Sequence, residues 1–148
     1  ELELQLEKKR QGLGLQLGRA PLVAKVDPTR LQQVVRNVLG NAMKFSPEDS
    51  IIDIAADNPD DNTIRIQIRD RGPGIPPAEL DAVFQAFVQS SQTRDGSGGT
   101  GLGLAICRKI ITAHGGSIHA TNAPGGGTIL HISLPTAGYT DTMPATLS

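Results

Sequence analysis

The sequence predicts an α/β domain in which strands and helices alternate along the chain, and three stretches carry that reading. Residues 28–45 repeat apolar side chains at helical spacing, and residues 63–69 (TIRIQIR) alternate as a half-buried strand does. Residues 98–109 (GGTGLGLAICRK) run a glycine-rich loop straight into an apolar helix pattern. The chain has 148 residues, 38% of them hydrophobic, which suits one buried core.

Residues 1–10 (ELELQLEKKR) alternate Leu2, Leu4 and Leu6 with polar side chains, so strand and helix end both remain open there. Residues 12–26 read as two short strands around a turn at residues 18–21. The strongest helix follows. Asp27 is placed to cap it, Pro28 suits its first position, and Leu31, Val34, Val35, Val38, Leu39, Ala42 and Met43 share one face until Ser46-Pro47 stops it. Strands are expected over residues 50–56 and 63–69, joined by a hairpin loop DNPDDN; the second delivers Asp70 into RGPGIPP, where neither helix nor strand can continue. A short helix is expected near residues 77–84. Residues 89–98 (QSSQTRDGSG) contain no apolar side chain and read as a mobile lid rather than a packing element. A helix to about Ala113, ended by the glycines of HGG, and strands near residues 117–120 and 128–134 complete the domain. Residues 136–148 read as a flexible tail.

Fourteen basic against fifteen acidic residues give a net charge of -1, so there is no electrostatic footprint for nucleic acid or for direct contact with an anionic membrane. No apolar run approaches a membrane span and no signal peptide is visible, which reads as a cytoplasmic domain. The one cysteine, Cys107, lies in an apolar helix pattern and reads as a core thiol.

The glycine loop contains no lysine, so a phosphate held there needs positive charge from elsewhere. Asn37, Asn41 and Lys44 form a stripe roughly 130° from the centre of the apolar face of the first long helix. Asparagine is a poor helix former, and two of them one turn apart point to a role beyond solubility, although a solvated flank is the plain alternative. An amide oxygen is a hard ligand suited to Mg²⁺, whose other ligands are commonly phosphate oxygens and water. Asp70, at a strand end and followed by Gly72 and Gly74, can accept from the exocyclic amine of adenine; a simple turn is the alternative there. The GGTGLG loop lacks the GxxxxGK[ST] pattern and is not preceded by a strand, which excludes a Walker loop and a dinucleotide fingerprint. Its backbone amides at a helix start still suit phosphate.

Taken in order and spacing, NxxxNAMKFS, DRGPGI, VFQAF, GGTGLGLAI and HGG resemble the catalytic ATP-binding domain of two-component sensor histidine kinases, one of the Bergerat-fold ATPases that include gyrase and the heat-shock chaperone ATPases. The resemblance spans residues 27–135. It implies a two-layer α/β sandwich: a mixed, mostly antiparallel sheet on about three helices with a mobile ATP lid, residues 12–135 forming the catalytic domain and residues 1–11 the connection to a dimerisation helix. By motif it makes Asn41 the Mg²⁺ ligand, with Asn37, Lys44 and Phe45 beside it, and Asp70 the adenine-binding carboxylate, with Gly72 and Gly74. Phe84 and Phe87 match an aromatic box. Gly99, Thr100, Gly101, Leu102, Gly103 and Leu104 match the second glycine box, Thr128 places a hydroxyl behind the adenine, and Arg94 is a candidate lid arginine, a solvated arginine being its alternative.

The implied activity is transfer of the ATP γ-phosphate to a histidine on a separate dimerisation domain, with ATP and Mg²⁺ as cofactors. The implied partners are that phosphoacceptor domain and a response regulator, within a full-length homodimer that is a candidate for inner-membrane anchoring. Hydrolysing relatives place a glutamate where Asn37 stands; an amide cannot take a proton from water, which favours transfer over hydrolysis. His114, His119 and His131 precede Gly, Ala and Ile rather than the acidic residue expected after a phosphoacceptor, and read as structural or exposed. The rivals are a serine kinase of the anti-sigma-factor type and a non-catalytic nucleotide-binding module.

Overall fold

The computed structural model describes residues 2–17, 23–24, 26–85, 103–136 and 145–146. The chain opens with a helix, α1 (Leu2–Lys9), which resolves the ambiguity left by its leucines, and continues into β1 (Gly12–Leu17). The two short strands expected over residues 12–26 exist as β1 and β2 (Val23–Ala24) but do not pair with each other. β1 lies parallel to β3 (Ile51–Asp60), and β2 pairs with β7 (Ala145–Thr146), inside the stretch read as a flexible tail.

The main sheet has five strands in the order β1-β3-β4-β6-β5, with β4 at Thr63–Arg69, β5 at Ser117–Asn122 and β6 at Thr128–Pro135. Every pairing is antiparallel except β1 with β3. β3 runs further than expected, through Pro59 to Asp60, with a register shift between Asp57 and Asp60. Among the described residues β1 pairs with β3 only as far as Ala56, so Pro59 lies beyond that ladder and beside the register shift. The short helix expected near residues 77–84 is instead two 3₁₀ turns, Pro77–Glu79 and Ala82–Phe84.

Two helices cover one sheet face: α2 (Pro28–Phe45) and α3 (Gly103–Ala113). Asp27 caps α2 as its sequence position predicts, its carboxylate accepting from Thr29 N at 2.9 Å. Leu31, Val34, Val38, Leu39, Ala42 and Met43 of α2 are buried against Ile52, Ile64, Ile66, Ile68, Ile118, Leu130, Ile132 and Leu134 of the sheet and Ile111 of α3. The strict alternation in β4 does what it predicts: Ile64, Ile66 and Ile68 enter the core, while Arg65, Gln67 and Arg69 take the opposite face.

The far end of α2 is fastened by residues near the start of the chain. Lys9 Nζ donates to Met43 O at 2.8 Å, Lys44 O at 3.2 Å and Ser46 O at 2.7 Å. Gln11 Nε2 donates to Met43 O and Ser46 O, both at 3.0 Å. These donors satisfy carbonyls that a helix C-terminus leaves without partners, and the lysine charge complements the negative end of the dipole.

Candidate functional site

β4 ends at Arg69, and the next residue, Asp70, is locked to the start of β6. Its backbone N donates to Thr128 O at 2.9 Å, while its Oδ1 accepts from Thr128 N at 3.0 Å and from Gly72 N at 2.9 Å. Among the described residues both side-chain bonds end on Oδ1, which leaves Oδ2 to accept from a ligand. Burial pushes the Asp70 carboxyl above its usual value of 3.8, against the pull of the Gly72 and Thr128 amides and the charges of Arg69 and Arg71. A largely desolvated acceptor held by two amides is preorganised for a donor such as an exocyclic amine.

Two glycines allow this arrangement. A Cβ on Gly72 would stand 2.8 Å from Phe45 O, so the loop after Asp70 lies directly on the end of α2. Gly127, which the sequence reading passed over, has φ +91, and a Cβ there would stand 2.1 Å from Asp70 O. The run Gly125-Gly126-Gly127, positive in φ throughout, is what brings Thr128 onto Asp70. A glycine triplet before a strand was the available signal.

The loop carries further fasteners. Buried Ser46, just past α2, accepts from Arg71 N through its hydroxyl at 2.9 Å. Arg71 also forms an ion pair with Asp53 on β3. On the other side, Asn122 at the end of β5 accepts from Ile75 N at 2.8 Å and donates to Ile75 O at 2.7 Å. Gly74, with φ +84, sits against the Asn122 carboxamide.

The α2 stripe adjoins this loop at its C-terminal end. Asn37 and Asn41 are half-buried, Lys44 is exposed with its ammonium 5.6 Å from the Phe45 ring centroid, and Phe45 is half-buried. The buried thiol of Cys107 on α3 donates to Val34 O of α2 at 3.7 Å. Burial drives that thiol up to about 11, so Cys107 is a core thiol, as its position in the pattern suggests. Cys107 therefore ties α3 to the backbone of α2.

Gly103 and Leu104 open α3, both half-buried. Phe84 is buried in the core, with the Arg108 guanidinium 4.3 Å from its ring centroid. Thr128 is buried beside Asp70. Phe87, Arg94, Gly99, Thr100, Gly101 and Leu102, together with the expected lid, lie outside the described residues.

The histidines are engaged within the fold. His114 Nδ1 lies 2.8 Å from Ile110 O, and its Nε2 accepts from Asp27 N at 3.2 Å. His131 is bracketed by Gln67 at 3.1 Å and Thr121 at 2.8 Å, and its ring stacks on that of exposed His119 with centroids 4.5 Å apart. Among the described residues no helix is long and apolar enough to cross a membrane.

Comparison with known proteins gives the family. Residues 26–138 match the family model for histidine kinase-, DNA gyrase B- and HSP90-like ATPases. The adaptive-response sensory kinase SasA of Prochlorococcus marinus is 33% identical over 139 residues, covering 91% of this chain and 36% of that protein. The sensor protein kinase WalK of Staphylococcus aureus is 42% identical over 117 residues, 77% of this chain and 28% of WalK. The chain thus spans about a third or less of these curated relatives. Among solved structures, the mycobacterial sensor histidine kinase MprB superposes with a TM-score of 0.82 at 33% identity, covering 90% of each chain. Histidine kinase ThkA, in complex with the response regulator TrrA, superposes with a TM-score of 0.77 at 27% identity over 92% of this chain and 37% of ThkA. With residues 26–138 matching that family model and the same sandwich of sheet and helices in sensor histidine kinase structures, the chain belongs to the histidine kinase-, gyrase B- and HSP90-like ATPase family, as an ATP-binding catalytic domain of the sensor histidine kinase kind.

Proposed function

We propose that this domain binds ATP with Mg²⁺ and transfers the γ-phosphate to a histidine on a separate dimerisation domain. The observation that carries the reading is the Asp70 carboxylate, held at a strand end by the amides of Gly72 and Thr128 and lying beside the end of the helix that carries Asn41. Asp70 supplies the acceptor for the adenine amine. The α3 N-terminus, opening at Gly103, offers backbone amides and a positive dipole end to the phosphates, and Lys44 adds charge from α2.

The donor set fits a partly protein-held Mg²⁺. Among the described residues no three His, Cys, Asp or Glu side chains gather, so an ion here would rest on the Asn41 amide oxygen and otherwise on phosphate oxygens and water. When bound, the ion neutralises phosphate charge during transfer. Asn37, half-buried on α2, is no general base: its amide cannot accept a proton from water. That favours an imidazole acceptor over hydrolysis.

His114 and His131 are hydrogen-bonded within the fold and His119 stacks on His131, which supports an acceptor supplied in trans. The ThkA–TrrA complex supports a response regulator as the downstream partner. A homodimeric full-length kinase, anchored in the inner membrane, is the setting we propose. The test is to incubate the domain with labelled ATP, alone and with a helical hairpin bearing the phosphoacceptor histidine. The expected result is acid-labile, base-stable label on the hairpin only. Rapid ATP hydrolysis by the domain alone would place it with gyrase-like enzymes, and acid-stable label on a partner serine would place it with serine kinases.

A further inference from the structure

We infer that Asn122 is a positioning residue for the nucleotide site. The inference rests on the reading of Asp70 as the adenine acceptor. Asn122 and Thr128 face each other across the β5–β6 ladder as its last pair. Thr128 holds Asp70 through two hydrogen bonds, and Asn122 holds Ile75 through two more, at 2.8 and 2.7 Å. Residues 70–75 are therefore suspended at both ends from one cross-strand pair.

The chemistry of the grip is specific. A planar carboxamide presents one acceptor and two donors side by side, which lets Asn122 satisfy the N–H and the C=O of a single residue as a neighbouring strand would. β5 has ended and no strand continues the ladder there, so the side chain substitutes for backbone. Ser46 and the ion pair of Arg71 fix the near part of the loop to α2 and β3, but nothing among those contacts reaches past Arg71. Asn122 fixes the backbone of Ile75, whose side chain packs against the core, and it lies against Gly74. Gly72 and Gly74 are the residues whose bare backbone can meet a flat base. Their height relative to Asp70 then depends on a side chain from the end of β5.

Asn122 is exposed, and so are its bonds to Ile75, so losing them leaves backbone groups that water can satisfy. Removing the side chain is expected to release the loop without unfolding the domain. The experiment compares wild type and Asn122→Ala by calorimetric titration with ATP and with GTP, and by thermal melting without nucleotide. The expected result is an ATP affinity lower by about tenfold, a preference for ATP over GTP that shrinks with it, and a melting temperature of the empty domain nearly unchanged. Unchanged ATP affinity in the variant would overturn the inference. So would a loss of ATP and GTP binding in equal proportion, or one accompanied by a large fall in melting temperature, either of which marks a general structural role. Failure of the wild type itself to prefer ATP over GTP would instead overturn the assignment of Asp70 on which the inference stands.

Discussion

Asp70 and Thr128 hold each other by reciprocal hydrogen bonds, the Asp70 N–H to Thr128 O at 2.9 Å and the Thr128 N–H to Asp70 Oδ1 at 3.0 Å. The same carboxylate is raised in pKa by burial, so the empty domain carries a charge that its surroundings disfavour. A group with a raised folded-state pKa contributes most to stability below its unfolded value of 3.8 and loses that contribution as the pH rises through the folded value. At neutral pH the ionised group is a cost to the empty fold.

Asp70→Asn is therefore expected to separate stability from function. Its amide oxygen can still accept from Gly72 and Thr128, and the disfavoured charge is gone, so the melting temperature of the empty domain should stay level or rise. ATP binding should fall, because one oxygen becomes a donor facing the adenine amine, a loss of about 1.5–3 kcal/mol or roughly tenfold to a hundredfold in affinity. Calorimetry and melting curves on one preparation check both; ATP binding of normal strength would remove Asp70 from the site.

Asn41→Ala should fold normally, since Asn41 lies off the buried face of α2. It should lose the gain in triphosphate affinity that Mg²⁺ gives the wild type. Titrations with and without the metal decide this, and an equal response in both proteins would reduce Asn41 to a surface residue.

The glycines should divide into two classes. Gly127→Ala puts a methyl 2.1 Å from Asp70 O at a positive φ, so the empty domain should lose about 2–4 kcal/mol of stability and its Asp70–Thr128 lock. A Cβ on Gly103 meets nothing within 4 Å among the described residues, and alanine favours helix, so Gly103→Ala should leave the empty domain as stable or slightly more so. Its effect should show only as weaker ATP binding, because the methyl enters where α3 amides would approach phosphate. Melting temperature and ATP affinity, measured for both variants, should give opposite patterns.

The sheet's open face should make the fold sensitive to acid. Burial first, then His119 and Arg65, lower the pKa of His131 from its usual 6.5. A base depressed in the folded state contributes stability above its unfolded value and loses it as the pH falls through the folded one. The Gln67 amide, donating to Nδ1, also fits the neutral ring better than the cation. Melting temperature should thus drop as the pH is lowered from 6.5, and His131→Asn should flatten part of that drop; an identical pH profile in the variant would show that the pair does not govern it.

Local pattern was enough for the elements whose physics is local. The repeat of Leu31, Val34, Val38, Ala42 and the cap at Asp27 specify α2, because a helix buries a stripe at fixed spacing and needs a partner for its first amides. Strict alternation specifies β4 in the same way. Motif chemistry also singled out Asp70 and Gly72, which the fold sets against the end of α2, and Asn41 on that helix. Where pairing is decided by distant segments, local reading stopped short: it placed β1 and β2 beside one turn, ended β3 early, and merged two 3₁₀ turns into one helix.

By itself, then, the sequence determined which residues can form an apolar face, cap a helix, or offer a carboxylate, an amide or a bare backbone to a nucleotide, since those properties belong to side chains and their spacing. The tertiary structure alone decided that Lys9 and Gln11 cap α2, that Cys107 meets Val34 O, that Gly127 must be bare to admit the Asp70 backbone, and that Asn122 holds Ile75. Each joins residues 32 or more apart in the chain. No period or local preference encodes such a pair; it exists because the packed sheet and helices leave one unpaired polar group, or one gap too small for a methyl, next to the other.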